Sequence, residues 1–344
     1  MKRTHIALSL LATYALLYIA RRLSRLPFAN RHHPDLRGKL AIVTGGTRGI
    51  GAEIVKGLAR LGCDVVVVSE EDASKGSAAA EQIEHDARGG SVSWQFLNLA
   101  DLAGLREFVR RWNDDGRKLD FLVNNAGILT SPRKRVLTKD GFEIHWTVNY
   151  LAHFYLTVSL SDALLSAAKE GGSVRIVSTA SINSERFPMD WDDIHKALPG
   201  KYGTIPCYAQ SKLALVLFAS KLARLFQEKH PKLDIAVGSF DPGITHTSVF
   251  HPILPGGSRL FRSLVGVLIT PLLFWMHTPH ESAQTALHFL TAPRSEIVSG
   301  GYYVNLRNIP HRRRETEGVV GQDRLWTISG DMIKQAGLDF PRMM

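Results

Sequence analysis

Short apolar runs without helical spacing recur along the chain, each closing on small or polar residues. Leu40 to Thr44, Asp64 to Val68, Ser91 to Leu97, Phe121 to Asn124, Val174 to Ser178 and Asp234 to Phe240 are such runs. Near-continuous Val, Ile and Leu over so few positions predicts strands buried on both faces, as in a parallel sheet. Between them lie amphipathic stretches, with helices predicted at Ala52 to Leu61, Gly141 to Ala168, around Tyr208, and at Arg324 to Leu338. The second is interrupted by Val148-Asn149-Tyr150, and an interior asparagine competes with the backbone for hydrogen bonds unless it holds a kink or a water. Gly301 to Val304 reads as the last strand. Asn183 to Cys207 is polar, turn-rich and long for an α/β connection, which predicts part of a substrate wall. The alternation predicts an α/β fold, a single Rossmann-type doubly wound parallel sheet.

Two apolar runs do not fit the sheet. Ile6 to Ala20 is flanked by Lys2-Arg3 and Arg21-Arg22. Tyr18 stands where a signal peptidase needs a small residue, and arginines can snorkel to lengthen the span. The reading is an uncleaved membrane-anchor helix over 1–25, with a cleaved signal or an interfacial helix as alternatives. A linker over 26–38 and a catalytic domain over 39–344 complete the chain. Leu264 to Trp275, broken by Pro271, is left open between a lid, a membrane-dipping segment and ordinary core.

Charge refines this picture. The net charge of +10 is concentrated at Lys2-Arg3, Arg21 to Arg31, Arg133 to Arg135 and Arg312 to Arg314. Basic flanks beside apolar runs point to a membrane surface, and no nucleic-acid-binding pattern is present. With two cysteines and no ligand-spaced His/Cys cluster, neither a disulfide framework nor a metal site is indicated. Cys207 is read as a buried thiol.

The candidate chemistry begins at Gly45-Gly-Thr-Arg-Gly-Ile-Gly51, between a strand and a helix. Glycines there let backbone N–H groups approach a pyrophosphate, and the helix N-terminus adds positive potential. Gly45, Thr47, Arg48, Gly49, Ile50 and Gly51 are therefore candidate dinucleotide contacts. Glu70, about twenty residues on, would bond the ribose hydroxyls of NAD and repel the 2′-phosphate of NADP. Arg48 argues the other way, since a guanidinium there could hold that phosphate. The balance favours NAD, with NADP as the alternative. Asn98 and Leu99 stand where an adenine edge would be met, and Asn125, Ala126 and Gly127 form a small-residue turn leaving room for cofactor. Pro242, Gly243 and Thr247 close the strand ending at Phe240. Tyr208 and Lys212, at i and i+4, share one helix face. A phenol holds its proton at neutral pH, and an ammonium about 4 Å away would favour phenolate by roughly 4 kcal/mol before desolvation.

With these residues in place the chain resembles the short-chain dehydrogenase/reductase family, in its retinol-dehydrogenase-like branch, from about Lys39 onward. The resemblance rests on Thr44-Gly-Gly-Thr-Arg-Gly-Ile-Gly51, Asn124-Asn-Ala-Gly127, Tyr208-x-x-x-Lys212 and Pro242-Gly243 in that order. It implies a tetrad of Asn149, Ser181, Tyr208 and Lys212. Ser181 would polarise the substrate oxygen, Tyr208 exchange its proton, Lys212 lower the tyrosine pKa and bind the ribose, and Asn149 hold a relay water. Asn98 replaces the family's usual aspartate, and Ser178 competes with Ser181 for the serine role. The resemblance also implies an NAD(P)-dependent enzyme interconverting a lipophilic alcohol with its aldehyde or ketone. Polyprenol or dolichol-type isoprenoids rank first, retinoids second and steroids third. The rival reading is a non-catalytic dinucleotide-binding scaffold. The endoplasmic reticulum is the expected membrane, with lipid droplets as the alternative, and a homodimer is left open.

Overall fold

The computed structural model describes residues 29–129, 135–196, 198, 200, 202–245, 276–313, 316 and 318–340. The anchor expected over 1–25, the apolar run at 264–275 and Thr247 lie outside the described residues. Among the described residues no single helix is long and apolar enough to cross a membrane.

The predicted strands form one sheet. In chain order they are β1 (Leu40–Thr44), β2 (Asp64–Ser69), β3 (Val92–Phe96), β4 (Phe121–Asn124), β5 (Val174–Thr179), β6 (Ile235–Asp241), β7 (Tyr302–Val304) and β8 (Arg307–Ile309). Their spatial order is β3-β2-β1-β4-β5-β6-β7-β8. The first seven are parallel, but β8 pairs antiparallel with β7, so the expectation of a wholly parallel sheet and of Gly301 to Val304 as the last strand is corrected. The turn between them, Asn305-Leu306, has positive φ at both residues, 49° and 66°, the geometry of a two-residue hairpin.

Side chains alternate to opposite faces. Ala41 and Val43 meet α1 (Gly49–Arg60), α2 (Ala73–Ala87) and α7 (Pro279–Thr291); Ile42 joins α3 (Leu102–Asp114), α4 (Ala152–Ser159), α5 (Ser161–Lys169), α6 (Thr204–Lys229) and α8 (Val319–Gln335). Both faces are covered, which is why β1 and β2 read as unbroken apolar runs. α1 begins at Gly49, earlier than predicted, and α8 is displaced toward the N-terminus from the predicted Arg324 to Leu338. α8 closes the second face through Trp326, which meets the Phe154 ring edge-on at 5.2 Å. Within the stretch read as a linker, Asn30 is hydrogen-bonded to Gln284 and Thr291, and Leu36 is buried in the core.

The helix predicted from Gly141 to Ala168 breaks where the asparagine foretold. A single turn, Ile144–Trp146, runs into a π-helix over Thr147–Leu151 before α4 resumes. A π-turn aims side chains differently from an α-turn, and Asn149 lies at its centre.

Candidate active site

Strand order reverses between β1 and β4, and at the carboxyl ends of these strands a cleft of about 440 Å³ opens. Gly45, Thr47, Arg48, Gly49, Ile50, Gly51, Glu70, Asn98, Leu99, Asn125, Ala126, Gly127, Tyr208, Lys212, Pro242 and Gly243 all line it. The glycine loop is tight: a Cβ on Gly51 would lie 2.2 Å from the Gly45 carbonyl oxygen and 2.6 Å from Asn125 Nδ2. The Asn125 amide in turn donates to the Thr44 and Gly45 carbonyls at 3.0 and 3.3 Å. This close packing leaves the loop's edge open for a pyrophosphate, and the residues fit a dinucleotide.

Arg48, the side chain that could hold a 2′-phosphate, is ion-paired, its Nη1 being 2.9 Å from Glu71 Oε1. Glu71 Oε2 accepts from Ser69 Oγ at 3.0 Å, and Ser69 Oγ accepts from Trp94 Nε1 at 2.8 Å. The acid that confronts Arg48 is thus Glu71, while Glu70 is exposed at the rim. Asn98 spends one lone pair of its amide oxygen on the Ala100 N–H at 2.8 Å, leaving one for a ligand.

At the other end of the cleft the four expected catalytic residues converge. Ser181 hydrogen-bonds the Tyr208 phenol. Ser178 faces inward, 1 % exposed beside Asn124, so of the two serines it is Ser181 that meets the phenol. Lys212 Nζ lies 5.8 Å from the centre of the Tyr208 ring and donates to the Thr179 carbonyl at 2.7 Å. Asn149 does not line the cleft; it lies behind it. Its Oδ1 accepts from Ile128 N at 2.7 Å, and its Nδ2 donates to Ile128 O at 3.1 Å and Ser211 Oγ at 3.0 Å. Gly127 lets these groups meet, since a Cβ there would be 3.1 Å from Lys212 Nζ and 3.3 Å from Asn149 Oδ1.

The electrostatics differ from the expectation that Lys212 draws the tyrosine pKa down. Burial dominates and pushes the phenol up to about 12, with Asp241 adding to the rise and only the Ser181 hydrogen bond opposing it. Burial also drives Lys212 down to about 7; among the described residues its ammonium has a carbonyl, and no carboxylate, to replace lost water.

A family model for short chain dehydrogenase matches residues 39–192. Polyprenol dehydrogenase of Danio rerio is 36% identical over 295 residues, covering 86% of this chain and 85% of that protein. The chain belongs to the short chain dehydrogenase family. Retinol dehydrogenase 13 of Homo sapiens is 33% identical to this dehydrogenase, covering 88% of it and 86% of the relative. A solved structure from Beutenbergia cavernae, described as an NAD(P) dependent gluconate 5-dehydrogenase with bound NADP, superposes with a TM-score of 0.57. It is 27% identical over 80% of this chain and 96% of that one. The dehydrogenase is accordingly an NAD(P)-dependent oxidoreductase.

Residues beyond the named cofactor and catalytic candidates complete its site. Thr179 supplies the carbonyl that holds Lys212, and Thr245, Glu71 and Asn183 line the cleft. Ile128, Leu129, Ile144 and Val148 form an apolar wall beside Tyr208. Asp241 accepts from the Ile182 and Gly243 N–H groups, tying the loop after Ser181 to the loop after β6. His311 Nδ1 accepts from Arg313 N, so its Nε2 carries the proton toward Ser184 Oγ, 2.9 Å away. His153 bridges Thr44 Oγ1, at 2.9 Å, and the Asn149 carbonyl, at 3.0 Å.

Both histidines are buried and neutral, and burial pushes each down to about 4. An unfolded histidine titrates near 6.5. Between these values the unfolded chain binds protons that the folded enzyme refuses, so stability falls as pH drops from about 6.5 and levels near 4. The loss is on the order of 3 kcal/mol per ring. Melting temperature followed from pH 7 to 4 should decline, and less steeply in a His311→Phe variant. An unchanged slope in that variant contradicts the assignment.

Proposed function

We propose that the dehydrogenase interconverts a lipophilic primary alcohol of the polyprenol or dolichol type with its aldehyde, using NAD. The observation that carries this reading is the meeting of Ser181, Tyr208 and Lys212 beside the apolar wall of Ile128, Leu129, Ile144 and Val148. The relative named polyprenol dehydrogenase supports that substrate class, and the relative named retinol dehydrogenase supports retinol as a second reading.

In the oxidative direction Ser181 and Tyr208 receive the substrate hydroxyl, Ser181 orienting it and Tyr208 taking its proton. Lys212, which titrates near neutrality, exchanges protons with the tyrosine's surroundings, and Asn149 holds the turn at Ile128 against which the substrate rests. Bound NAD supplies the ring carbon that accepts the hydride and, while oxidised, a positive charge favouring phenolate. The glycine loop, Glu70, Asn98 and Gly127 would hold it. The reading includes an anchor over 1–25 in the endoplasmic reticulum membrane, supported by the basic-flanked apolar run. Extraction by alkaline carbonate would sink that part.

NAD preference rests on Glu71 occupying Arg48 and opposing a 2′-phosphate. Glu71→Gln should free the guanidinium and raise the NADP to NAD ratio of kcat/KM about tenfold, the worth of one charge-assisted contact of ~1.4 kcal/mol. An unchanged ratio removes Glu71 from cofactor selection. The whole reading is tested by turnover of detergent-solubilised enzyme on polyprenols, retinol and steroids with each dinucleotide. Activity on retinol alone selects the second reading, and activity on none of the isoprenoids or retinol overturns both.

A further inference from the structure

His153 has no part in the four-residue chemistry, yet it is wholly buried one turn beyond Asn149. Its hydrogen bonds fix its state. The Asn149 carbonyl is an acceptor only, so Nδ1 must carry the proton and Nε2 must accept. The Thr44 hydroxyl therefore donates to Nε2, and its own oxygen is left to accept. It does so twice, from Asn125 N and Ala126 N, both at 2.9 Å. Those two residues form the floor of the cleft. From Asn149 the series continues through Nδ2 to Ser211 Oγ at 3.0 Å, and Ser211 Oγ donates to the Tyr208 carbonyl at 2.7 Å.

We propose that His153 is a positioning residue of the dehydrogenase: it joins the cofactor-side turn at Asn125-Ala126 to the Asn149, Ser211 and Tyr208 series and so sets the register of the π-helix. The π-helix is what needs such a device. One residue of slippage toward regular α-helix would turn Asn149 by about a quarter turn away from Ile128, and π-turns lack the strong bias that keeps an α-turn in register. A side chain that grips the Asn149 carbonyl from one side and β1 from the other removes that freedom. An apolar residue of equal volume would fill the space without doing so, and would leave the Thr44 hydroxyl proton to the Val123 carbonyl, 3.3 Å away. The inference rests on the proposed role of Asn149 in the site and is independent of which alcohol is the substrate.

The test uses the full-length enzyme and four variants: His153→Phe, His153→Asn, Asn149→Ala, and His153→Phe combined with Asn149→Ala. Asparagine places its Nδ2 where histidine has Nδ1, and so keeps the grip on the Asn149 carbonyl. Two readouts are taken. One is steady-state turnover of a C20 isoprenoid alcohol with NAD. The other is amide exchange of the segment containing Ile128, whose N–H is held by Asn149 Oδ1. His153→Phe should lower kcat about tenfold to a hundredfold with KM for NAD within about threefold, and speed exchange at Ile128 about tenfold. His153→Asn should recover most of both. The double variant should be no worse than Asn149→Ala, because residues acting in one series are not additive. The proposal fails if folded His153→Phe matches wild type in both readouts, if Asn and Phe behave alike, or if the losses multiply. Should His153→Phe not fold, His153→Gln, which reaches Thr44 and not the carbonyl, takes its place, and equality with His153→Asn overturns the proposal. If wild-type enzyme leaves the alcohol untouched, the substrate reading falls while exchange at Ile128 still decides the role of His153.

Discussion

Tyr208→Phe is expected to lose about a thousandfold or more in kcat, in both directions, while binding NADH as wild type does. The substitution keeps the ring on α6 and deletes only the hydroxyl, which is hydrogen-bonded to Ser181 and placed to pass a proton to and from an alcohol oxygen there. General acid–base catalysis supplies roughly 10²- to 10⁴-fold, and that share is lost with the hydroxyl. The neighbours of the ring do not depend on the hydroxyl: Ser181 also accepts from Asn183 N, and Lys212 is held by Thr179. Cofactor affinity, read by NADH fluorescence, should therefore change by less than about threefold, since uniform binding is untouched. A variant retaining a tenth of wild-type kcat would remove Tyr208 from the chemistry. The phenol's position near 12 adds a second sign. Oxidation needs phenolate, so its rate should climb with pH across the neutral range in wild type and not in Tyr208→Phe.

Lys212→Met is expected to cost about a hundredfold or more in kcat and yet to stabilise the fold near pH 7. Lysine is about 10.4 when unfolded and about 7 here, so at pH 7 the unfolded chain gains a proton that the folded enzyme only half accepts. That difference opposes folding by on the order of 4 kcal/mol. Methionine removes it at the expense of one hydrogen bond to the Thr179 carbonyl, whose loss costs about 1–3 kcal/mol. The net gain is a rise of several degrees in melting temperature. A lysine with a depressed pKa destabilises below its unfolded value, so wild-type stability rises from pH 7 to 10.5 and the advantage of methionine should vanish there. A variant less stable than wild type at pH 7 would mean that the ammonium has a compensating partner and keeps its charge.

The sheet and the site were legible because both are written in local signals. Short apolar runs ending at Gly45, Asn124 and Ser178 can be placed by burial alone, and the i, i+4 pair at Tyr208 and Lys212 needs only a helix. β8 was not legible: Asn305-Leu306 carries no glycine to announce a two-residue hairpin, and Leu306 is held at positive φ by tertiary contact, its N–H donating to Thr285 Oγ1 at 3.3 Å. α7 has a start that is legible in the sequence. Thr278-Pro-His-Glu281 is a capping box with proline at the first position, and both reciprocal hydrogen bonds form. The pairing of Arg48 with Glu71 rather than Glu70 depends on which way the chain turns after β2, and spacing cannot resolve a choice between adjacent acids. Nor can spacing weigh burial against charge, which is why the phenol's shift came out opposite to the expectation.

Without β8, the carbonyls and amides along β7 would offer a template to any neighbouring polypeptide. β8 occupies that margin and presents the guanidinium of Arg307 outward, with Pro310, which has no amide hydrogen, just beyond. Charge and a missing donor are poor material for continued strand addition. The antiparallel ending thus leaves a margin three residues long at which a further strand would find a charge and a missing donor.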